Sequence, residues 1–129
     1  MLVLEQDRKD AVLQAMGSET MRKILLSTMY EAKSIERISI DTGLPLSTCY
    51  RRVHELVGSR LLRVERIIIT SAGKKYEIFR SQIKDAILNF SAGEISVEVT
   101  FVPREPEQKL PTIWNTTRGE ETQLVSTVQ

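Results

Sequence analysis

A chain of 129 residues and 14.7 kDa, 41% of it hydrophobic, has room for one domain and enough apolar surface for its core. No run approaches the roughly 20 apolar residues of a membrane span, and the longest, Met1 to Leu4, lacks the basic region of a cleaved signal peptide, so a soluble cytoplasmic protein is expected. The net charge of +1 points to no polyanionic partner by itself, but residues 17–82 carry twelve basic and seven acidic side chains, and residues 51–80 eight and three.

Ala11, Val12, Ala15 and Met16 suggest a short helix in an N-terminal segment, residues 1–16, ended by Gly17. Ser18 is a suitable N-cap for a second helix running into Tyr30, with Met21, Ile24, Leu25, Thr28 and Met29 on one face. Glu19 sits in its first turn, where the helix dipole favours an anion. The next helix reads from a Ser34 cap to Thr42, with Ile35 and Ile38 inward and Gly43 as the left-handed stop. Another starts around Pro45 and Leu46, runs to Val57 and ends at Gly58. At about 100° per residue, Leu46, Cys49, Val53, Leu56 and Val57 cluster on its inner side. Ser47, Thr48, Arg51, His54 and Glu55 take the outer side, with Tyr50 and Arg52 at the borders. Two short helices joined by a glycine-containing turn make a helix-turn-helix.

The period then changes. Leu62 to Ile69 and Lys74 to Arg80, separated by Thr70-Ser71-Ala72-Gly73, predict a β-hairpin with a small polar tip. Three helices followed by a hairpin is the order of a winged helix. Downstream, Ile95, Val97, Val99 and Phe101 alternate with polar residues, predicting a half-buried strand. Ala86, Leu88 and Phe90 alternate as its partner, with Ser91-Ala92-Gly93 as the turn, although Phe79, Ile83, Ala86, Ile87 and Phe90 also fit helical spacing. The strand reading is preferred because Ile95 to Phe101 needs a partner. From Pro103 onward, three prolines, charges and a Thr/Ser/Gln-rich run cannot offset ordering entropy, so residues 103–129 predict a flexible tail in which Trp114 is the anomaly. The expected fold is α+β: an N-terminal helical segment (1–16), a winged helix-turn-helix (17–82), a β-hairpin extension (83–102) and a tail.

Several pieces carry a family likeness: "MGSETMRKIL" opening the first core helix, "SIERISIDTGL" for the second and "LSTCYRRVHEL" for the third, then "GSRLLRVE" and "GKKYEIFRS" entering and leaving the hairpin. In this order and spacing, over roughly residues 11–81, the chain resembles ArsR-type winged-helix transcription regulators, the archaeal ones in particular. The resemblance implies a homodimer that binds double-stranded DNA, with the third core helix in the major groove and the hairpin as a wing. A helix entering the groove must be narrow at its N-terminal end and present hydrogen-bonding groups there. Ser47 and Thr48 satisfy this, and Arg51 points outward, placed for a guanine edge or a phosphate. Tyr50 and Arg52 flank it as backbone contacts, and His54 faces outward as a surface or phosphate-side histidine. Lys74 and Lys75 occupy the wing position; Arg63 and Arg66 add to them along the strand unless Glu65 or Glu77 claims them.

Other chemistry is weakly supplied. One cysteine and one histidine exclude an internal disulfide, a multi-cysteine metal site and a two-histidine cluster. Cys49 falls in the inward stripe as a structural thiol. The metal-sensing members of the resembled family carry paired cysteines on the recognition helix or acidic–histidine sets on the last helix, and this chain has neither, so no metal or other cofactor is expected. "SAGKK" lacks the spacing of a phosphate-binding loop, and no enzyme is expected. A dimer surface is expected from Leu2, Val3, Leu4 and Val12 together with the hairpin 83–102. The rival reading is a winged-helix protein–protein interaction module, with the same helix turned against protein.

Overall fold

The computed structural model describes residues 2–3 and 6–103. Four helices and two antiparallel hairpins follow in the order β1 (Leu2–Val3), α1 (Gln6–Met16), α2 (Glu19–Ser27), α3 (Ile35–Thr42), α4 (Leu46–Gly58), β2 (Leu62–Ile69), β3 (Lys75–Ser81), β4 (Ile83–Ser91) and β5 (Glu94–Phe101). This α+β arrangement is compatible with a winged-helix layout. Among the described residues no helix is long and apolar enough to cross a membrane. Apart from Pro103, the tail expected over 103–129, Trp114 included, lies outside the described residues.

The local signals act as their chemistry requires. Ser18 and Ser34 accept from the N–H groups of Met21 and Arg37, both at 3.2 Å, capping α2 and α3. Gly43 ends α3 with φ 77°, its N–H on the Ser39 carbonyl, a conformation that a side chain would strain. α2 stops three residues short of Tyr30. The Thr28 hydroxyl donates back to the Ile24 carbonyl at 2.9 Å and its own carbonyl accepts from Ser81, so the chain leaves the helix to meet β3. α4 also ends differently from expectation. Gly58 stays helical, and Arg60 takes the left-handed conformation at φ 66°. The Leu61 N–H bonds the Leu56 carbonyl and the Arg60 N–H that of Val57, a Schellman ending whose apolar residue, Leu61, is buried.

One core joins all layers. Val12 and Ala15 of α1, Ile24 of α2, Ile38 of α3, Val53 and Leu56 of α4, Leu61, Leu62, Phe79, and Val97 and Val99 of β5 pack together. Leu46, assigned to the inner stripe of α4, is 43% exposed, because the first turn of α4 projects past the core. The loop before α3 joins the first hairpin through Lys33, whose N–H and C=O both pair with Phe79 (2.9 and 2.8 Å). Residues 83–101 form the second hairpin and not a helix, with Ala92 and Gly93 both at positive φ (54° and 81°) in its turn, the mirror-type turn that matches strand twist. The N-terminal segment is not wholly helical: Leu2–Val3 adds to β5, giving the order β1-β5-β4. Val12 is fully buried in the chain's own core and so is not a free dimer surface as expected; Leu4 lies outside the described residues.

Lys33 also anchors α3. Its ammonium lies 2.8 Å from Asp41, which the Arg37 guanidinium meets at 3.0 Å. The hydrogen bond from Lys33, then that from Arg37, outweighs burial and holds the Asp41 carboxyl below the usual aspartate range. A depressed folded pKa adds stability that is present above about pH 4, the ordinary aspartate value, and lost as pH falls through the folded value. Asp41→Asn is therefore expected to flatten the acid limb of a stability–pH curve from urea unfolding. An unchanged acid limb would contradict this role.

Candidate nucleic-acid interface

The outer face of α4 is bare. Ser47, Arg51 and His54, spaced four and three residues apart, form one exposed stripe, with Tyr50 beside it at 42% exposure and Thr48 half-buried. No side chain caps α4, which follows Pro45 and has no acidic residue in its first turn. Its leading N–H groups are thus open to an anion, and the dipole favours one. The Tyr50 and His54 rings sit 6.3 Å apart, and the Tyr50 hydroxyl donates to Glu36 at 3.5 Å. These contacts fix Tyr50 across the mouth of a groove between α3, α4 and the β2–β3 hairpin.

That groove, about 1,020 Å³, is lined on the hairpin side by Ile68, Lys74, Lys75 and Tyr76 and on the helix side by Ser34 and Tyr50. Lys74 and Lys75 are exposed where the tip returns into β3. The turn is set by Gly73 at φ 84°, with the Lys74 N–H on the Thr70 hydroxyl (3.0 Å) and the Thr70 N–H on the Lys74 carbonyl (2.8 Å). The structure thus brings Tyr50 and both lysines to one groove and leaves Ser47, Arg51 and His54 exposed on α4. Tyr76 and Ser34 also line the groove, beyond the residues that the sequence marks for it. For Tyr76 the signal is present, since it shares a strand face with Ile78 and lies one step beyond the part of the hairpin that the helices cover.

Two assigned residues sit elsewhere. Arg63 is a correction: it is 7% exposed and its guanidinium meets Glu65 at 3.1 Å, so it does not face outward with the lysines. Glu65 also lies near Arg66 (3.9 Å) and Arg80 (3.8 Å), so three of the eight basic side chains of residues 51–80 gather around one carboxylate. Arg52 is half-buried and ion-paired with Glu55 at 2.8 Å, so its charge is partly met before any ligand arrives.

Cys49 takes no part in this surface. It is fully buried, its sulfur 4.0 Å from the Leu44 carbonyl, and burial pushes the thiol up despite hydrogen bonding to Thr42 and Ser39. A protonated, buried thiol is a poor nucleophile. Iodoacetamide at neutral pH is expected to leave the native protein unmodified and to alkylate it once urea unfolds it, as read by mass spectrometry; rapid native labelling would contradict the packing. Among the described residues no group of three or more His, Cys, Asp or Glu side chains is placed to hold a metal ion. No family model matches the chain, and no curated protein is similar enough to match it.

Proposed function

We propose that the protein is a winged-helix transcription regulator that acts as a cytoplasmic homodimer on double-stranded DNA. α4 is its recognition helix and β2–β3 its wing. The observation that carries this reading is the placement of uncommitted polar and basic groups. Ser47, Arg51 and His54 are exposed on α4, and Lys74 and Lys75 are exposed across the groove. Arg63, Arg66 and Arg80 are turned to Glu65 instead. In this reading the first turn of α4 enters the major groove, Arg51 meets a base edge or phosphate, and the two lysines hold the backbone. Two copies read half-sites about one helical turn apart, because a symmetric protein matches a symmetric site.

The rival, a protein-interaction module, draws on Glu36 in the groove and Glu55 on α4, which suit a basic peptide better than a phosphate chain. Titration of fluorescent duplex DNA over a range of salt concentrations separates the two. DNA binding is expected to weaken steeply with salt, and Lys74→Ala/Lys75→Ala to reduce the log–log slope by about one for each phosphate that is no longer neutralised. No binding at low salt would favour the rival.

A further inference from the structure

β4 stands at the end of the order β1-β5-β4, so one of its edges has no strand partner among the described residues. Edge strands are ordinarily short, charged or bulged, which prevents pairing with other chains. β4 has its bulge only at one end, between Ile83 and Asp85, and is nine residues long, about 30 Å at roughly 3.4 Å per residue. Past Asp85 it carries Ile87, Leu88 and Phe90, which are 53%, 44% and 73% exposed. Ala86, Leu88 and Phe90 share a face and pair with Val99, Val97 and Ile95 of β5. That face is fully covered at Val99 and Val97 and opens at Ile95 and Phe90. The apolar face of the sheet outruns the helices that cover it.

A complementary feature lies at the other end of the same strand. A cleft of about 170 Å³ between α2 and β4 is lined by Met16, Leu26, Met29 and Ala86, with the basic Arg22 and Lys84 beside them. The overhanging end is acidic instead, with Glu94 exposed next to the turn. We infer that a second copy of this chain occupies this edge, β4 against β4 in antiparallel register about a two-fold axis near Ile87. Antiparallel pairing sets the Phe90 end of each strand beside the Ile83–Lys84 end of the other, where the cleft opens. Phe90 of each copy then enters the cleft of its partner, and Glu94 comes to the side occupied by Arg22 and Lys84, opposite in sign. The net charge of +1 per chain offers little repulsion to such a pair.

This contact gives the proposed homodimer its interface; it rests on the DNA reading for the use of the dimer, not for its existence. None of its residues belongs to the outer face of α4 or the tip of β2–β3, so both copies keep that surface open. The test is sedimentation of the full chain at tens of micromolar, without DNA. A species of twice 14.7 kDa is expected. Phe90→Lys and Leu26→Lys, at positions 73% and 65% exposed, are each expected to yield a monomer with an unchanged circular dichroism spectrum. Should Phe90→Lys unfold, Leu26→Lys on the opposite wall of the contact decides alone. A wild-type monomer, whether residues 104–129 cover the edge or nothing does, overturns the inference. A dimer that folded variants leave intact overturns it too, because the contact then lies elsewhere. With no DNA in the cell, a wild-type monomer also removes the homodimer and its paired half-sites but not DNA contact by α4 and β2–β3, displaced contacts remove only this interface, and a dimer that ignores DNA leaves the interface standing.

Discussion

Arg51→Ala is expected to weaken binding to a preferred duplex site by about 1–3 kcal/mol, roughly 5- to 150-fold, while weakening binding to unrelated DNA far less. The expectation rests on what α4 does with its charges. Arg52 is already paired with Glu55, and His54 packs toward Tyr50, which leaves Arg51 as an exposed guanidinium on the stripe behind Ser47. A planar five-donor group in that position offers two parallel hydrogen bonds to a guanine edge, which a lysine ammonium does not reproduce. Arg51→Lys is therefore expected to recover nonspecific affinity and little of the specific part. Fluorescence anisotropy at one fixed salt concentration, with specific and scrambled duplexes in parallel, checks both. Equal losses on the two duplexes would reduce Arg51 to a phosphate contact.

Phe79→Ala is expected to destabilise the protein by about 3–5 kcal/mol, the range for truncating a buried aromatic side chain. Phe79 is 2% exposed in the shared core, and its backbone holds Lys33 on both sides. The cavity therefore opens where the hairpin, α2 and α3 meet. Domains of this size are stable by about 5–15 kcal/mol, so the substitution removes a large share of the total. At about 4–8 °C per kcal/mol, the thermal midpoint should fall by at least about 12 °C. Tyr30→Ala, at a ring 76% exposed, serves as the control and should stay within about 0.5 kcal/mol. A small effect at Phe79 would mean that the hairpin is not locked onto the helices.

Much of this architecture is legible in the sequence because its signals are local. Ser18, Ser34 and Gly43 act within four residues of themselves, and the alternation of Ile95 to Phe101 needs only the period of a strand. The outer stripe of α4 is legible for the same reason, since the helical period alone separates Arg51 from Val53. What sequence reading missed depends on contacts distant in the chain. Leu2–Val3 becomes a strand only because β5 offers an edge nearly a hundred residues away. Arg60 tolerates a left-handed backbone because its carbonyl accepts from Arg8 (3.1 Å) and Gln82 (2.8 Å), neither of them near in sequence. The Arg63–Glu65 pair is one that period-two counting offers, but a register shift between Val64 and Arg66 breaks the alternation along β2 and lets Arg66 reach the same carboxylate, which that counting does not anticipate.

The bare face of α4 is most directly tested by selecting bound sequences from a random duplex pool with the full chain, in parallel with the Arg51→Ala variant. The wild type should enrich a two-fold related motif with half-sites about one turn apart, and the variant should lose preference at one base pair in each half. A pool that stays random, or one motif enriched equally by both proteins, contradicts the assignment of α4 as the helix that reads DNA.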